Sequence, residues 1–513
     1  MQRGRKGLLR ALFSRLGIIV LLLLLQIAVI LLLFYSFAEY APHIYTATTI
    51  LAAAVVLYLI NSGVDPTGKV TWLIVITLIP VFGGLLLLYT QLDVGHRTVK
   101  SMVSHAIDST RDAIPQDPKV LENLAAENPD AAALAHYISR SGCYPVYDST
   151  DVTYFPLGED MFEALLPQLE RAERFIFLEY FIIDEGLMWG RVLDILAKKA
   201  RAGVDVRVMY DGTCEFSTLS RDYPKLLRGL GIQCKVFSPA TPFLSTHYNY
   251  RDHRKILVID GHTAFTGGIN MADEYINRIE KHGHWKDTAI LLQGEAVRSF
   301  TLMFLQLWNL FEKEPVYEPF LSCPTYPPRQ AKGFVIPYAD CPLDRDKVGE
   351  RVYMDILNRA RHYVHIMSPY LILDGEMETA LKFAAERGVD VALILPGIPD
   401  KKIPFALALT HYASLLESGV RLYEYTPGFV HAKVFVSDDS KAVVGTINMD
   451  YRSFYHHFEC AAYLYGTPCI LAIERDFQDT LQKCRPVTRE TLKNESAKRK
   501  LTGFLCKTVA PLM

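Results

Sequence analysis

RDHRKILVIDGHTAFTGGIN, residues 251–270, is answered later in the chain by HAKVFVSDDSKAVVGTIN, residues 431–448. Aligned on their histidines, the copies agree at five positions: His253, Lys255, Asp260, Gly267 and Asn270 match His431, Lys433, Asp438, Gly445 and Asn448. A lone His-x-Lys carries almost no information, whereas a doubled, spaced pattern does. The run after each histidine, ILVI or VFV, is apolar and rich in β-branched residues, so it reads as a buried strand. Period-two alternation then puts His253 and Lys255 on one face, and His431 and Lys433 likewise. Asp260-Gly261 and Asp438-Asp439 stand where each strand turns back, so hairpin chemistry competes with a direct catalytic role for both aspartates. The return strands TAFTGGIN and AVVGTIN bring small residues and an amide back towards the His/Lys end, where glycine lets backbone approach a ligand.

The repeat extends well beyond the motif. Upstream of the first copy, a helix at about 160–172 leads to FIFLEYFI, a helix at 188–202, VDVRVMYDG, PKLLRGLG and CKVF. Upstream of the second, a helix at 350–360 leads to YVHIMSPYLI, a helix at 376–387, VDVALILPG, a helix near 404–418 and VRLYEY. RAGVDVRV and ERGVDVAL mark equivalent helix-to-strand joints, with Gly203 and Gly388 placed to end their helices. Each half is a β-α-β-α-β-type unit, which predicts a mostly parallel or mixed sheet covered by helices. GEAVRSFTLMFLQLWNLF (294–311) between the halves reads as an amphipathic helix, followed by the Pro-rich EPFLSCPTYPPRQ. The resulting division is a membrane anchor at 1–92, a helical connector at 93–160, a first half at 161–292, an inter-half segment at 293–345, and a second half with tail at 346–513.

The chain has 513 residues, 50% of them hydrophobic, and a positive mean hydropathy that comes from its first 92 residues. Three apolar runs there, 17–37, 44–60 and 70–92, are long enough to predict transmembrane helices, a cell-membrane location and a membrane-embedded enzyme. Arg3, Arg5, Lys6, Arg10 and Arg15 precede the first run, which predicts a cytoplasmic N-terminus and, with three spans, an extracytoplasmic catalytic part. A formal net charge of −2 opposes a nucleic-acid partner, which calls for a strongly basic domain. The nine cysteines show no metal spacing and no disulfide framework, so they read as buried hydrophobes, and neither metal nor cofactor is expected.

One His, one Lys and one Asn from each half suit a single tetrahedral anion. Two lysines supply charge and Asn270 and Asn448 supply amide donors for phosphoryl oxygens. Two histidines can act as nucleophile and proton donor on opposite sides of a phosphodiester, one neutral and the other protonated. Asp287 in HGHWKDTAI and Glu459 in HHFECAAY lie 34 and 28 residues past their histidines. A carboxylate on Nδ1 would fix the tautomer that leaves Nε2 facing phosphorus. His247, His282, His284, His456 and His457 have no partner at matching offset and read as ordinary packing or surface residues.

The doubled H-x-K-x4-D with downstream G-x2-N resembles the phospholipase D superfamily. YRDHRKILVIDG, GGINMADEY, HWKDTA, YEYTPGFVHAKVFVSDD, VGTINMDYRSFYHHFE and the N-terminal DPTGKVTWLIVITLIPVFGG are similar to bacterial cardiolipin synthases. The resemblance implies two pseudo-symmetric phospholipase D-like α/β halves packed around one cleft. It implies His253, Lys255, Asp260, His431, Lys433 and Asp438 as catalytic residues. It also implies phosphatidylglycerol and membrane lipids as partners, and transfer of a phosphatidyl group to a second phosphatidylglycerol with release of glycerol. One motif histidine in that family forms a phosphohistidine and the other is acid, then base. Carried over, His253 is the nucleophile and His431 the acid/base, an ordering that the near symmetry of the halves leaves open. One departure is visible: Gly445-Thr446 stands where the first copy has Gly267-Gly268. A phospholipase D-type hydrolase, a phosphatidylserine synthase, a nuclease and a non-catalytic scaffold are the rival readings.

Overall fold

The structure, a computed structural model, describes residues 21, 23–31, 41–64, 66–91, 94–238, 250–325, 331–344 and 346–512. The chain divides into two compact units, one built on Met1–Lys100 and Leu505–Met513, the other on Ser101–Pro239 and Tyr250–Phe504.

In the first unit, helices Ala41–Asn61, Pro66–Leu78 and Pro80–Gln91 pack around Leu59, Ile76 and Leu87. No described helix is long and apolar enough to cross a membrane, so the described residues give no support to the expected N-terminal transmembrane helices. The third predicted span is interrupted at Ile79-Pro80, giving helices of 13 and 12 residues. Proline lacks an N–H and its ring crowds the preceding turn. In the second, Thr46, Thr48 and Thr49 confine the apolar run to residues 50–60, and two of these hydroxyls bond back to the Tyr45 carbonyl. The first predicted span is helical at residues 21 and 23–31, and the rest of it, with the basic residues before it, lies outside the described residues. The three-span topology therefore gives no ground for placing the catalytic part on one side of a membrane.

The second unit holds two mixed sheets. The first half supplies β1 (Thr150–Phe155), β2 (Phe175–Tyr180), β3 (Asp205–Asp211), β4 (Gln233–Phe237), β5 (Arg251–Asp252), β6 (Lys255–Ile259), β7 (Thr263–Gly267), β8 (His284–Lys286) and β9 (Ala289–Gly294). The second supplies β10 (Phe334–Asp340), β11 (Tyr363–Met367), β12 (Leu371–Ile372), β13 (Asp390–Pro396), β14 (Arg421–Tyr425), β15 (Gly428–Val430), β16 (Val434–Ser437), β17 (Lys441–Gly445), β18 (Met449–Asp450), β19 (His457–Tyr465) and β20 (Cys484–Pro486). One sheet runs β1-β9-β7-β6-β2-β3-β4 and the other β10-β19-β17-β16-β11-β13-β14-β20. The parallel part of each, β2-β3-β4 and β11-β13-β14, comes from the alternating helix–strand segments; the antiparallel part is built around the motif hairpins β6-β7 and β16-β17. Gly203 and Gly388 follow their helices at φ +93° and +91°, as their positions predict.

Three sequence expectations change. TDVTYF is an edge strand of the first sheet, paired antiparallel to β9, and not part of a connector. Phe334–Asp340 likewise edges the second sheet beside β19 instead of linking the halves. The inter-half helix Val297–Trp308 is buried on nearly every face, touching β2, β6, β7 and β9 of one half and β10 of the other. Such a helix serves as core between two sheets, where a single apolar stripe would not suffice.

Two short parallel pairings tie the halves together: β5 pairs with β19 and β15 pairs with β8. Each half thus sends the residues just before its motif histidine onto a strand of the other.

Candidate active site

Those exchanged strands build the site. Asp252 stands opposite Phe458, and the His253 N–H donates to the Phe458 carbonyl at 3.0 Å. His253 therefore comes alongside Glu459, the next residue on β19. Its Nδ1 lies 3.0 Å from both carboxylate oxygens. In the mirrored arrangement, Val430 stands opposite Lys286, the His431 N–H donates to the Lys286 carbonyl at 2.7 Å, and Nδ1 lies 2.7 Å from Asp287 Oδ2. Each carboxylate that the sequence placed after a motif serves the histidine of the other half. A buried carboxylate accepts only, so Glu459 holds the proton of His253 on Nδ1 and leaves the Nε2 lone pair free.

Below the first histidine, Arg254 is buried against Glu179 and Asp252, with Nη2 2.6 Å from Glu179 Oε1. The Asp252 N–H donates to Asp211. This buried network pins the short β5 that leads into the histidine, and no spacing in the sequence announced it.

Lys255 and Lys433 are each 1% exposed. Lys255 Nζ donates to the His253 carbonyl at 2.6 Å; Lys433 Nζ donates to the His431 carbonyl and lies 2.9 Å from His431 Nδ1. Burial pulls Lys255 down to about 8 and Lys433 to about 7, with Glu459 and Asp287 opposing the shift. Burial also takes His253 well below its usual range and, with Lys433 beside it, His431 down to about 4. For Glu459 and Asp287, burial is outweighed by the opposing histidines, so both stay below the usual carboxylate range. Two neutral imidazoles on two ionised carboxylates, with two buried ammonium groups, make a pocket poised for an anion.

The lysines carry a pH prediction. Folded Lys433 and Lys255 release their protons near 7 and 8, while unfolded lysine holds its proton to about 10.4. Between those values the unfolded chain binds more protons, so the burial cost shrinks as pH rises. Lys433→Met is expected to exceed the wild type in stability by more at pH 6.5 than at pH 9, while losing turnover at both. Denaturant titrations at the two pH values check the sign.

Asp260 and Asp438 are not brought to the histidines. They sit at the far turns of the motif hairpins, in left-handed backbone at φ +53° and +52°, each followed by a second residue of positive φ. Asp260 accepts the N–H groups of Glu173, Arg174 and Phe175, each at 2.8 Å, and Asp438 those of Arg361, His362 and Tyr363 at 2.8–2.9 Å. Each aspartate thus clamps the start of a central strand, β2 or β11. Asp260→Ala orphans three amides and is expected to cost about 3 kcal/mol of stability, with turnover of the folded protein changed less than about threefold. A melting curve beside a rate measurement checks this, and a large rate loss with unchanged melting would return Asp260 to the chemistry.

Asn270 is already engaged, accepting from the Ile182 N–H at 3.1 Å and donating to the Tyr275 hydroxyl at 2.7 Å. It holds the Tyr275 ring against His431, 5.4 Å between centroids. Asn448 is buried with Oδ1 unpartnered among the described residues. The Gly268/Thr446 difference also resolves: a Cβ at Gly268 would meet Asp287 Oδ1 at 2.0 Å, whereas Thr446 Oγ1 donates to Glu459 Oε2. Each residue packs on its own half's carboxylate, one by leaving room and one by a hydrogen bond.

Sequence reasoning passed over the rings around the histidines. Phe181 and His457 lie 4.9 and 5.2 Å from His253, while Trp285 and Phe429 lie 5.5 and 5.8 Å from His431. Trp285 and His457 each stand two residues before a site carboxylate, which was the one available signal. His247 lies outside the described residues. Glu350, Asp374 and Glu376 also cluster elsewhere in the second half. Burial and the Asp374 carboxyl push Glu350 up to about 9.

Residues 165–308 and 353–481 match the family described as cardiolipin synthase, PLD-like domain. The chain belongs to the bacterial cardiolipin synthase family of the phospholipase D superfamily. A cardiolipin synthase of Alkalihalophilus pseudofirmus is 34% identical over 456 residues, covering 87% of this chain and 89% of that protein. An uncharacterized protein of Streptococcus mutans is 58% identical over 458 residues, 89% of this chain and 99% of that one. The solved phosphatidylserine synthase of Haemophilus influenzae shares the two-halved α/β fold at a TM-score of 0.56 and 15% identity, over 71% of this chain and 93% of that one. As a member of this family, the protein is an enzyme that transfers phosphate-containing groups.

Proposed function

We propose that the protein is a cardiolipin synthase that moves a phosphatidyl group from one phosphatidylglycerol to a glycerol hydroxyl of another through a phosphatidyl-histidine. The observation that carries this reading is the pair of crossed histidine–carboxylate contacts, at 3.0 and 2.7 Å, beside two buried lysines. His253 attacks phosphorus through Nε2, forming the P–N bond as the P–O bond to glycerol breaks. His431, having taken up a proton as the anionic substrate enters, protonates the departing glycerol oxygen. In the second step neutral His431 removes the proton of the acceptor hydroxyl, whose oxygen displaces His253. Lys255 and Lys433 stabilise charge on the non-bridging oxygens. Both substrates are lipids, so the reaction belongs at a membrane surface.

Purified enzyme given phosphatidylglycerol alone is expected to release cardiolipin and glycerol in equal amounts. Phosphatidic acid as the main product would replace this reading with hydrolysis. Product requiring added serine would replace it with phosphatidylserine synthesis.

A further inference from the structure

The parallel strands of both sheets run towards the motif histidines. Tyr180 at the end of β2 stands beside Lys255, and Met367 at the end of β11 beside Val434, the residue after Lys433. β13 runs parallel to β11, so the loop that leaves it, residues 397–403, stands at the His431 end of the second half. The Ile398 N–H donates to the Gly428 carbonyl at 3.1 Å, three residues before His431. A Cβ at Gly283 would meet Ile398 Cδ1 at 3.1 Å, and Trp285, two residues further on, lies against His431. The loop is thus an outer wall of the pocket. Ile398 and Ile403 are 42% and 43% exposed, with exposed Lys401 and Lys402 between them. The one acid of the loop, Asp400, is engaged by the Tyr370 hydroxyl at 2.8 Å.

The loop runs directly into helix Lys402–Glu417, and helix Ala497–Lys507 lies against the first turns of that helix. Gly503 makes the contact, since a Cβ there would meet the Ala406 carbonyl at 2.2 Å, and the Arg499 guanidinium lies 5.3 Å over the Phe405 ring. With the small residue turned in, the apolar ones turn out: Leu501 and Phe504, three apart and so on one face, are 59% and 70% exposed. A helix on a soluble core normally shows the opposite arrangement. Lys498, Arg499 and Lys500 precede them, and the helix, AKRKLTGFLCK, contains no acidic residue although the whole chain carries a net charge of −2. Single exposed apolar residues are ordinary. A cluster of them among cations, beside a pocket for an anion, marks a lipid interface.

We propose that the loop 397–403 and the outward face of helix Ala497–Lys507 form the surface with which the enzyme rests on an anionic bilayer. Ile398, Ile403, Leu501 and Phe504 enter the boundary between headgroups and acyl chains, and Lys401, Lys402, Lys498 and Lys500 meet lipid phosphates. The mouth beside His431 then stands at headgroup level, and phosphatidylglycerol enters from the leaflet without passing through water. The negative charge that the pocket recognises is also the one that recruits the surface.

The inference rests on the substrate being an anionic lipid, and its test reads the surface without reading the product. The full chain is reconstituted in vesicles of phosphatidylcholine alone and of equal parts phosphatidylcholine and phosphatidylglycerol. Backbone amide exchange in the peptides covering 397–403 and 497–504 should be about tenfold slower in the anionic vesicles, and high salt should remove most of the difference, because the attraction is screened. Leu501→Ser combined with Phe504→Ser should abolish the slowing in the helix and leave the melting temperature unchanged, since both side chains are exposed. Equal exchange in the two kinds of vesicle overturns the proposal, whether the surface stays in water or another part of the chain covers it. Slowing that follows protein concentration and not phosphatidylglycerol overturns it in favour of a second copy of the chain. Slowing that survives in the double variant overturns the role given to the helix. Slowing with phosphatidic acid as the product would leave this surface standing and remove the synthase reading, whereas cardiolipin formed without slowing would do the reverse.

Discussion

Replacing His253 with alanine is expected to abolish covalent labelling by phosphatidylglycerol and to lower turnover by about a thousandfold or more, because His253 is the group proposed to form the bond to phosphorus. His431→Ala should fall by about 10²–10⁴-fold, the range for losing a positioned acid–base. It should still bind lipid. The two variants thus fail differently, one before the covalent intermediate and one in forming and discharging it. Both are checked by turnover together with rapid-quench labelling. Near-normal turnover in either variant would mean that the halves do not share a centre.

Glu459→Gln should be nearly as damaging. The carboxamide can offer its NH₂ to Nδ1, which turns the imidazole to the tautomer with its proton on Nε2 and removes the attacking lone pair. Wrong-tautomer changes of this kind cost about 10⁴-fold in a hydrolase triad, and a loss of about 10³–10⁴ is expected here. The consequence specific to this molecule is where the loss falls. Glu459 belongs to the half that carries His431, yet its replacement should stop labelling of His253. Asp287→Asn, in the half that carries His253, should instead slow the proton steps of His431. Labelling kinetics of the two variants check the crossing, and the opposite assignment would refute it.

Much of this was legible in the residues. The doubled motif with its shared offsets gave two halves, and the period-two runs beside the 3.6-period segments gave the sheets and their covering helices. His253, Lys255, His431 and Lys433 could be picked out because a strand puts alternate residues on one face. Asp260 and Asp438 shared the spacing but serve the backbone, since a turn aspartate and a catalytic one look alike in sequence. The crossing of Glu459 to His253 was not legible, because it depends on β5 pairing with a strand about 200 residues away. The same holds for β1 and β10, short edge strands whose partners are distant in sequence. Mean hydropathy alone does not register that Pro80 begins a new helix within the third apolar run. His457 was passed over because only the fold sets it beside His253.

The position of the phosphatidyl label tests the central claim most directly. Wild-type enzyme mixed with labelled phosphatidylglycerol, quenched within a turnover and digested for mass spectrometry, should carry an acid-labile, base-stable phosphatidyl group on the peptide containing His253, in proportion to active sites. Label on His431, or cardiolipin forming with no label on any histidine, would contradict it.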